Sequence, residues 1–419
     1  MEIVVSKFEL EKLSKQSRIV AFLVFAIIIL QNPIWPLWSF LGFDLFVFPT
    51  LLSYFLVACL FFYLLKLRRR FVANTLFLLS FFGCCFIFIV WAFIAGFNGS
   101  SVLILLTFLL PLALKNEEKV KVIDWLTKYL GLVLLISCSA WLIHHYLISL
   151  PMWGTFNGSA LKGGHYLYGN YLFFVEIIES HVGDNVRYIS ENDFHRFYSM
   201  FDEPGVTGAL SAFILFANRY DWRNKWVVII FVTNLFTYSI AFYLLVFISL
   251  LFLYADTLKR FLAVIAIGGC IGALGIFLFR NNEVVQALLF NRLLDLGGDS
   301  LNERTDYRLV QYIFSSSFLQ SWNLFLGIGT DAFAKQGYVG NSWLFFFLKY
   351  GICGLISVIG IYFSFLGKWN KNRLFLMLLF LLSFLNRPFL FSSWQILLFV
   401  CISAVFATDD KIIYKKSMN

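Results

Sequence analysis

Charged residues are scarce in this sequence. Only 14% of its 419 residues are Asp, Glu, Lys or Arg, whereas 60% are hydrophobic and the mean hydropathy is +0.80. A soluble globular protein has about a quarter of its residues charged, and a disordered chain has few apolar side chains. The composition therefore excludes both classes. About 250 apolar residues, at about 20 for each bilayer crossing, allow on the order of twelve membrane helices.

Residues that build metal centres and disulfides are scarce as well. The chain has seven cysteines, all within apolar stretches, and five histidines. The histidines show no metal-binding spacing and have no cysteine beside them, so we expect them to face water at a membrane interface. The sequence therefore predicts no metal, no cofactor and no disulfide framework. The histidines are His144, His145, His165, His181 and His195.

Apolar runs of membrane length recur between short polar breaks along the whole chain. This pattern predicts an all-α fold with one polytopic membrane domain over residues 1–419 and about 12 transmembrane helices. The predicted spans are 19–38, 46–65, 71–95, 100–114, 126–150, 204–218, 226–238, 240–255, 261–279, 341–366, 374–390 and 394–408.

The basic residues give the predicted orientation. Most of the 33 lysines and arginines lie in the N-terminal segment, in alternate loops and in the C-terminal tail, which by the positive-inside rule are cytoplasmic. Merging 226–255 into one helix would move Lys259 and Arg260 outside, so two short helices are predicted there. Both termini are then cytoplasmic, and the net charge of +9 requires no nucleic-acid partner.

Two long segments, 151–203 and 280–340, form large extracytoplasmic loops in this topology. Loops of this length are uncommon unless they are functional or disordered, and their composition does not indicate disorder. The first is rich in aromatic residues. The second contains 284–296 and 309–319, which are typical of short amphipathic helices at a membrane surface.

The first loop ends in an arginine that topology does not explain. Pro204 suits the first turn of the following helix, and Asp202 or Glu203 complements the dipole of that helix. Arg196 has no such role, and it is an outside cation in a chain whose cations are mostly inside.

The second loop contains a comparable group of arginines. Arg304 and Arg308 share one face of a helix at i, i+4 spacing. Either the neighbouring acids Glu303 and Asp306 neutralise this pair, or a phosphate group binds it, because guanidinium groups match phosphate oxygens bidentately.

Several short motifs resemble those of Wzy-type polysaccharide polymerases and the related O-antigen ligases. Residues 196–204 (RFYSMFDEP) are similar to the segment Arg-x-x-(small)-x-Phe-x-Glu-Pro at the end of the first large loop in that superfamily. Arg308 precedes Gly-Ile-Gly at 327–329 with the family's spacing of about twenty residues. Asn341, followed by Gly-Ile-Cys-Gly at 351–354, is similar to the family's His-Asn and Gly-x-x-Gly. The His position is taken by Gly340, which favours a polymerase over a ligase.

The resemblance implies a GT-C-like glycosyltransferase in the bacterial inner membrane. Such an enzyme polymerises undecaprenyl-diphosphate-linked oligosaccharide repeat units into O-antigen, capsule or exopolysaccharide. The reaction needs no metal, and the enzyme is in contact with membrane lipid. A chain-length regulator and a flippase are the implied protein partners. The alternatives are an O-antigen ligase and a flippase for lipid-linked oligosaccharide. A transporter normally needs ionisable residues within its helices, and few are found there in this chain, which disfavours the flippase.

The resemblance also assigns roles to residues of both loops. Arginines would stabilise the diphosphate leaving group, an acid or a histidine would accept the proton of the attacking hydroxyl, and aromatic rings could stack on sugars. The implied catalytic residues are Arg196, Glu203, Arg308 and His195. The implied substrate-binding residues are Arg304, Asn341, Arg292 and Tyr198.

Overall fold

A computed structural model gives the architecture of most of the chain. It describes residues 14–32, 47–67, 70–95, 99–157, 165–182, 185–188, 197–201, 204–254, 259–260, 262–266, 269, 307–335, 343–367, 371–386 and 391–417.

Helices make up most of the described chain. The first half contains α1 (Lys15–Leu30), α2 (Val47–Lys66), α3 (Thr75–Ala95), α4 (Gly99–Ala113) and α5 (Asn116–Tyr146). After a four-stranded sheet come α6 (Pro204–Ala217), α7 (Lys225–Leu235) and α8 (Ile240–Tyr254). Four short helices follow, which are α9 (Tyr307–Ile313), α10 (Ser316–Leu319), α11 (Asn323–Leu326) and α12 (Thr330–Lys335). The last three are α13 (Trp343–Ser364), α14 (Lys371–Asn386) and α15 (Ser393–Ser417).

Among the described helices, α2, α3, α5 and α13 are long and apolar enough to cross a membrane, with mean hydropathies between 1.8 and 2.6. The helices α4, α6, α7, α8 and the first part of α15 are apolar but shorter. Large apolar side chains such as Phe55, Phe82 and Phe93 are exposed on α2 and α3. Acyl chains suit such a surface and water does not. The chain is therefore a mostly helical protein with helices that can span a membrane.

The predicted spans coincide with described helices, except for 261–279, of which the structure describes only 262–266 and 269. Three boundaries were wrong. α15 continues to Ser417 instead of ending at 408. α1 ends at Leu30 instead of 38, because Pro33 and Pro36 disfavour helical backbone in the residues before them. α5 begins at Asn116 instead of 126, because the carboxylate of Glu118 accepts the backbone N–H of Lys115 at 2.9 Å and caps a polar first turn.

The predicted division of 226–255 into two helices is confirmed. α7 and α8 are separated by the turn 236–239, in which Tyr238 has a positive φ of 46°. Asn234, at the end of α7, is fully buried and donates from Nδ2 to Ser211 Oγ on α6 at 2.9 Å. This hydrogen bond ties the hairpin to the helix that follows the first loop.

The all-α prediction is wrong for the first loop, which contains a four-stranded antiparallel sheet in the order β1 (Gly154–Asn157), β2 (His165–Asn170), β3 (Val175–Val182) and β4 (Asn185–Tyr188). Thr155 pairs with Gly169, and Leu167 pairs with Glu179. Alternating β-branched and aromatic residues suit a pleated strand with one buried face. The aromatic residues of this loop were predicted only to stack on sugars, and strands were not predicted there.

The core of the helical part is rich in stacked aromatic rings. Phe380 on α14 stacks on Phe213 of α6 with ring centroids 4.1 Å apart, and it meets Phe399 of α15 edge-on at 4.9 Å. Tyr362 of α13 meets the same Phe399 at 5.0 Å. One cluster of rings therefore joins α13, α14 and α15 to α6.

Candidate functional site

The segment 197–201 lies inside the family-like motif and is held from two sides by backbone hydrogen bonds. The N–H of Phe197 donates to the carbonyl of Phe236 in the α7–α8 turn at 3.2 Å. The N–H of Val175 on β3 donates to the carbonyl of Ser199 at 3.0 Å. The ring of Phe197 is fully buried against Trp141 of α5, with centroids 5.7 Å apart. The motif therefore joins the sheet to two helical elements.

This segment is strained and carries unsatisfied polar atoms. Ser199 has a φ of 65°, a left-handed conformation that costs a residue with a side chain about 1 kcal/mol or more. Its hydroxyl is buried without a hydrogen-bond partner among the described residues, and so is the indole N–H of the adjacent Trp141. Unpaired buried polar atoms and local strain are costly and are concentrated at functional sites. These two features of Ser199 distinguish the segment from an ordinary turn.

The end of the segment borders an apolar cleft. Phe201 lines it together with Ile28 of α1, Tyr129 of α5 and Leu210 of α6. The hydroxyl of Tyr129 is buried there without a partner among the described residues. The cleft has a volume of about 10 Å³, which is room for about one water molecule, so it is a packing gap between α1, α5 and α6 and not a ligand site.

Most of the predicted site residues lie outside the described residues. Tyr198 is described, and its half-buried ring meets Tyr168 of the sheet edge-on at a centroid distance of 6.3 Å. The backbone of Arg308 lies in the first turn of α9. The predicted residues that lie outside the described ranges are Arg196, His195, Glu203, Arg292, Arg304 and Asn341.

A polar cluster at the end of α5 was not predicted. The side chain of His145 is only 7% exposed, and its Nε2 lies 3.3 Å from Oε2 of the buried Glu176 on β3. Burial raises the pKa of the adjacent Tyr171, and the charge of Glu176 raises it further, which keeps the phenol neutral. The expectation that all histidines face water is therefore wrong for His145, because the unpredicted sheet covers it.

His144, His145 and Glu176 offer ligand atoms within 4.8 Å of one another, a spacing that a metal ion could use. The hydrogen bonding of His144 opposes this, since its Nδ1 accepts the backbone N–H of Leu150 at 2.8 Å. A histidine that binds a metal through one ring nitrogen normally donates from the other. The contact with Leu150 requires the opposite tautomer. The cluster therefore suits a polar link between α5 and β3 better than a metal centre.

The two glycine motifs of the second half contact each other directly. Gly351 has a φ of 65° and interrupts α13, so that the helical donors to the carbonyls of Leu348 and Lys349 are displaced. Ile328 and Gly329 supply the replacements, with N–H groups that donate to Leu348 at 2.8 Å and to Lys349 at 3.1 Å. We call this junction of 327–329 with 348–351 the glycine clasp.

Close backbone approach explains why both sides of the clasp are glycines. A Cβ on Gly327 would collide with the Lys349 carbonyl, and a Cβ on Gly351 would collide with the Phe325 carbonyl. Beside the clasp, Leu309 of α9 is buried in one cluster with Ile328 and Leu348. The helix that begins with Tyr307 and Arg308 therefore packs against the clasp.

Comparison with protein-family models, with curated proteins and with solved structures finds no match to this chain.

We expect Ser199→Gly to raise the free energy of unfolding by about 1 kcal/mol, because glycine adopts a positive φ without strain. Thermal unfolding of the purified full chain in detergent measures this. The matched control is Ser137→Gly, which also removes a buried, unpartnered hydroxyl but lies inside α5, where glycine destabilises by about 1 kcal/mol. A loss of stability in Ser199→Gly would contradict the strained conformation.

We expect Gly327→Ala and Gly351→Ala each to lower the free energy of unfolding by about 2–4 kcal/mol, because each combines a strained φ with a backbone collision. The same unfolding assay applies. Gly269→Ala is the control, since a Cβ there meets nothing within 4 Å. Equal stabilities for all three variants would show that the clasp does not form.

Proposed function

We propose that the chain polymerises lipid-diphosphate-linked oligosaccharide repeat units at the outer face of the bacterial cytoplasmic membrane. The observation that carries the proposal is the strained, buried segment 197–201, which lies between Arg196 and Glu203 in the family-like motif. A segment held by hydrogen bonds on two sides provides rigid support for the residues that flank it in sequence. Rigid support is what preorganised electrostatic catalysis needs.

The proposed reaction is a glycosyl transfer between two lipid-linked glycans. A sugar hydroxyl of the incoming unit attacks the anomeric carbon of the growing chain and forms the new glycosidic bond. The bond from that carbon to the diphosphate breaks, and the electron pair leaves with the lipid diphosphate. The proton of the attacking hydroxyl passes to a base, for which Glu203 is the first candidate and His195 the second. Arg196 and Arg308 stabilise the charge that develops on the diphosphate.

The second half of the proposed site depends on the glycine clasp. The family-like motifs at 327–329 and 351–354 are far apart in sequence, yet Ile328 and Gly329 donate to the carbonyls of Leu348 and Lys349, directly before the second motif. Arg308 belongs to the helix that packs beside this junction. Arg304, Arg292 and Asn341 are proposed to complete the binding of diphosphate and sugar, and Tyr198 to support the sugar side.

The proposed topology has twelve spans, with both termini in the cytoplasm and the loops 151–203 and 280–340 outside. The apolar helices that can cross a membrane and the charge bias of the loops support it.

We expect Arg196→Ala and Arg308→Ala each to abolish polymer formation, because loss of one transition-state contact to a developing charge costs on the order of 10²–10³ in rate. The measurement is the length distribution of surface glycan in a deletion strain. The strain is complemented with wild type or with each variant at matched membrane expression. The deletion strain makes single repeat units, and wild type restores a ladder that neither variant restores.

Arg187→Ala is the matched control, since Arg187 is a cation of the same loop that lies on β4, outside the motif. It restores the ladder. If Arg196→Ala and Arg308→Ala also restore it, the two-arginine site is wrong. Long lipid-linked polymer that never reaches its acceptor in the deletion strain would identify a ligase. Absence of any linked unit outside the cell would identify a flippase.

A further inference from the structure

We propose that residues 309–329 form a re-entrant membrane segment whose exposed edge contacts the acyl chains of the bilayer. The edge consists of four large apolar side chains on and between the short helices α9, α10 and α11. They are Phe314, Leu319, Trp322 and Phe325. This inference concerns how the second loop meets the membrane, and it is independent of the reaction proposed above.

The composition of the segment is unusual for a loop. No residue from 309 to 329 is charged, and seven of the 21 are Ser, Gln or Asn, whereas a loop that runs through water normally carries charged residues as well. Phe314 is 71% exposed and Trp322 is 80% exposed. Large aromatic side chains in such positions need an apolar or interfacial partner.

The segment has large apolar side chains on both of its sides. On one side, Leu309, Phe318 and Ile328 are buried against Phe345 and Leu348 of α13. On the other side lies the exposed edge, beside the exposed polar residues Gln311, Ser316, Ser317 and Gln320. Large apolar side chains in such a mixed surface suit the boundary between acyl chains and headgroups, and the described part of the chain leaves the edge exposed.

The glycine clasp places the segment at membrane depth. Gly329 donates to the carbonyl of Lys349, which lies six residues into α13 from Trp343 and therefore about 9 Å along the axis at 1.5 Å per residue. The two helical parts of α13 on either side of Gly351 have 22 residues with it, and at the same rise they measure about 12 Å and about 20 Å, which together approach the ~30 Å of the hydrocarbon core. The clasp thus lies below the end of a spanning helix.

Irregular backbone at such depth is tolerated only where its polar groups are satisfied by protein. This condition is met at the clasp, where the N–H groups of Ile328 and Gly329 donate to α13. The carbonyl of Leu326 accepts the indole N–H of Trp91 on α3 at 3.0 Å. The backbone at the deepest part of the segment is therefore paired, as a re-entrant segment requires.

The exposed edge is continuous with a surface that faces lipid in the membrane. Trp91, which holds Leu326, lies two residues before Phe93 on α3, and Phe93 is 87% exposed. α3 is the most apolar of the spanning helices, with a mean hydropathy of 2.6. The acyl chains that cover Phe93 would therefore extend over the neighbouring edge of α11. A second copy of the chain is the competing occupant.

The test is site-directed spin labelling of Trp322→Cys, and separately of Phe314→Cys, in the full chain. The protein is reconstituted into phosphatidylcholine–phosphatidylglycerol vesicles. Power saturation compares collisions with oxygen, which concentrates among acyl chains, and with a water-soluble nickel chelate. Phe93→Cys on α3 is the lipid-facing control, and Arg223→Cys in the polar turn between α6 and α7 is the water-facing control. The unsubstituted chain, labelled in the same way, gives the background from native cysteines.

The proposal predicts a ratio of oxygen to nickel accessibility at 322 and 314 that matches the ratio at 93 and is several-fold above that at 223. A ratio equal to that at 223 would overturn it, since the edge would then face water. Low accessibility to both reagents would also overturn it. In that case, spin–spin broadening relieved by dilution with unlabelled protein would identify a second copy as the occupant, and absence of broadening would identify another part of the same chain.

Discussion

The break in α13 at Gly351 is the constraint on which much of the second half of the chain depends. A helix that is interrupted leaves carbonyls without helical donors, and such carbonyls need other partners. Here the N–H groups of Ile328 and Gly329 serve as donors. Because those donors come from residues 328 and 329, this segment must lie against the break. The break therefore sets the position of α11 and of α9, the helix that contains Arg308.

The first loop depends on the contacts that attach its sheet to the helices. Its sheet is attached to the membrane helices through the buried pair of His145 and Glu176 and through the hydrogen bond from Val175 to Ser199. At this attachment Ser199 has a left-handed conformation, and its hydroxyl is unpaired among the described residues. The strained backbone and the unpaired hydroxyl of Ser199 both lower the stability of the fold. The segment is strained, yet it is held firmly next to the residue proposed to contact the diphosphate.

Sequence reasoning worked where a single physical rule dominates. Hydropathy located the long helices, and charge bias divided 226–255 into α7 and α8. It failed where distant segments decide the structure. The sheet depends on pairing between residues such as Leu167 and Glu179, which weak alternation alone does not reveal. The burial of His145 depends on that sheet. The motif glycines at 327 and 351 are visible in the sequence, but their contact with each other is not. Each must be glycine because the backbone of the other segment lies too close for a Cβ.

The most direct test of the proposed function is polymerisation by the purified protein in vesicles with the metal chelator EDTA present. The substrate would be lipid-linked repeat units extracted from the deletion strain. The account predicts that glycan chains lengthen and that one lipid diphosphate is released for every glycosidic bond formed. Failure of wild-type protein to lengthen the chains, or lengthening without release of lipid diphosphate, would contradict it.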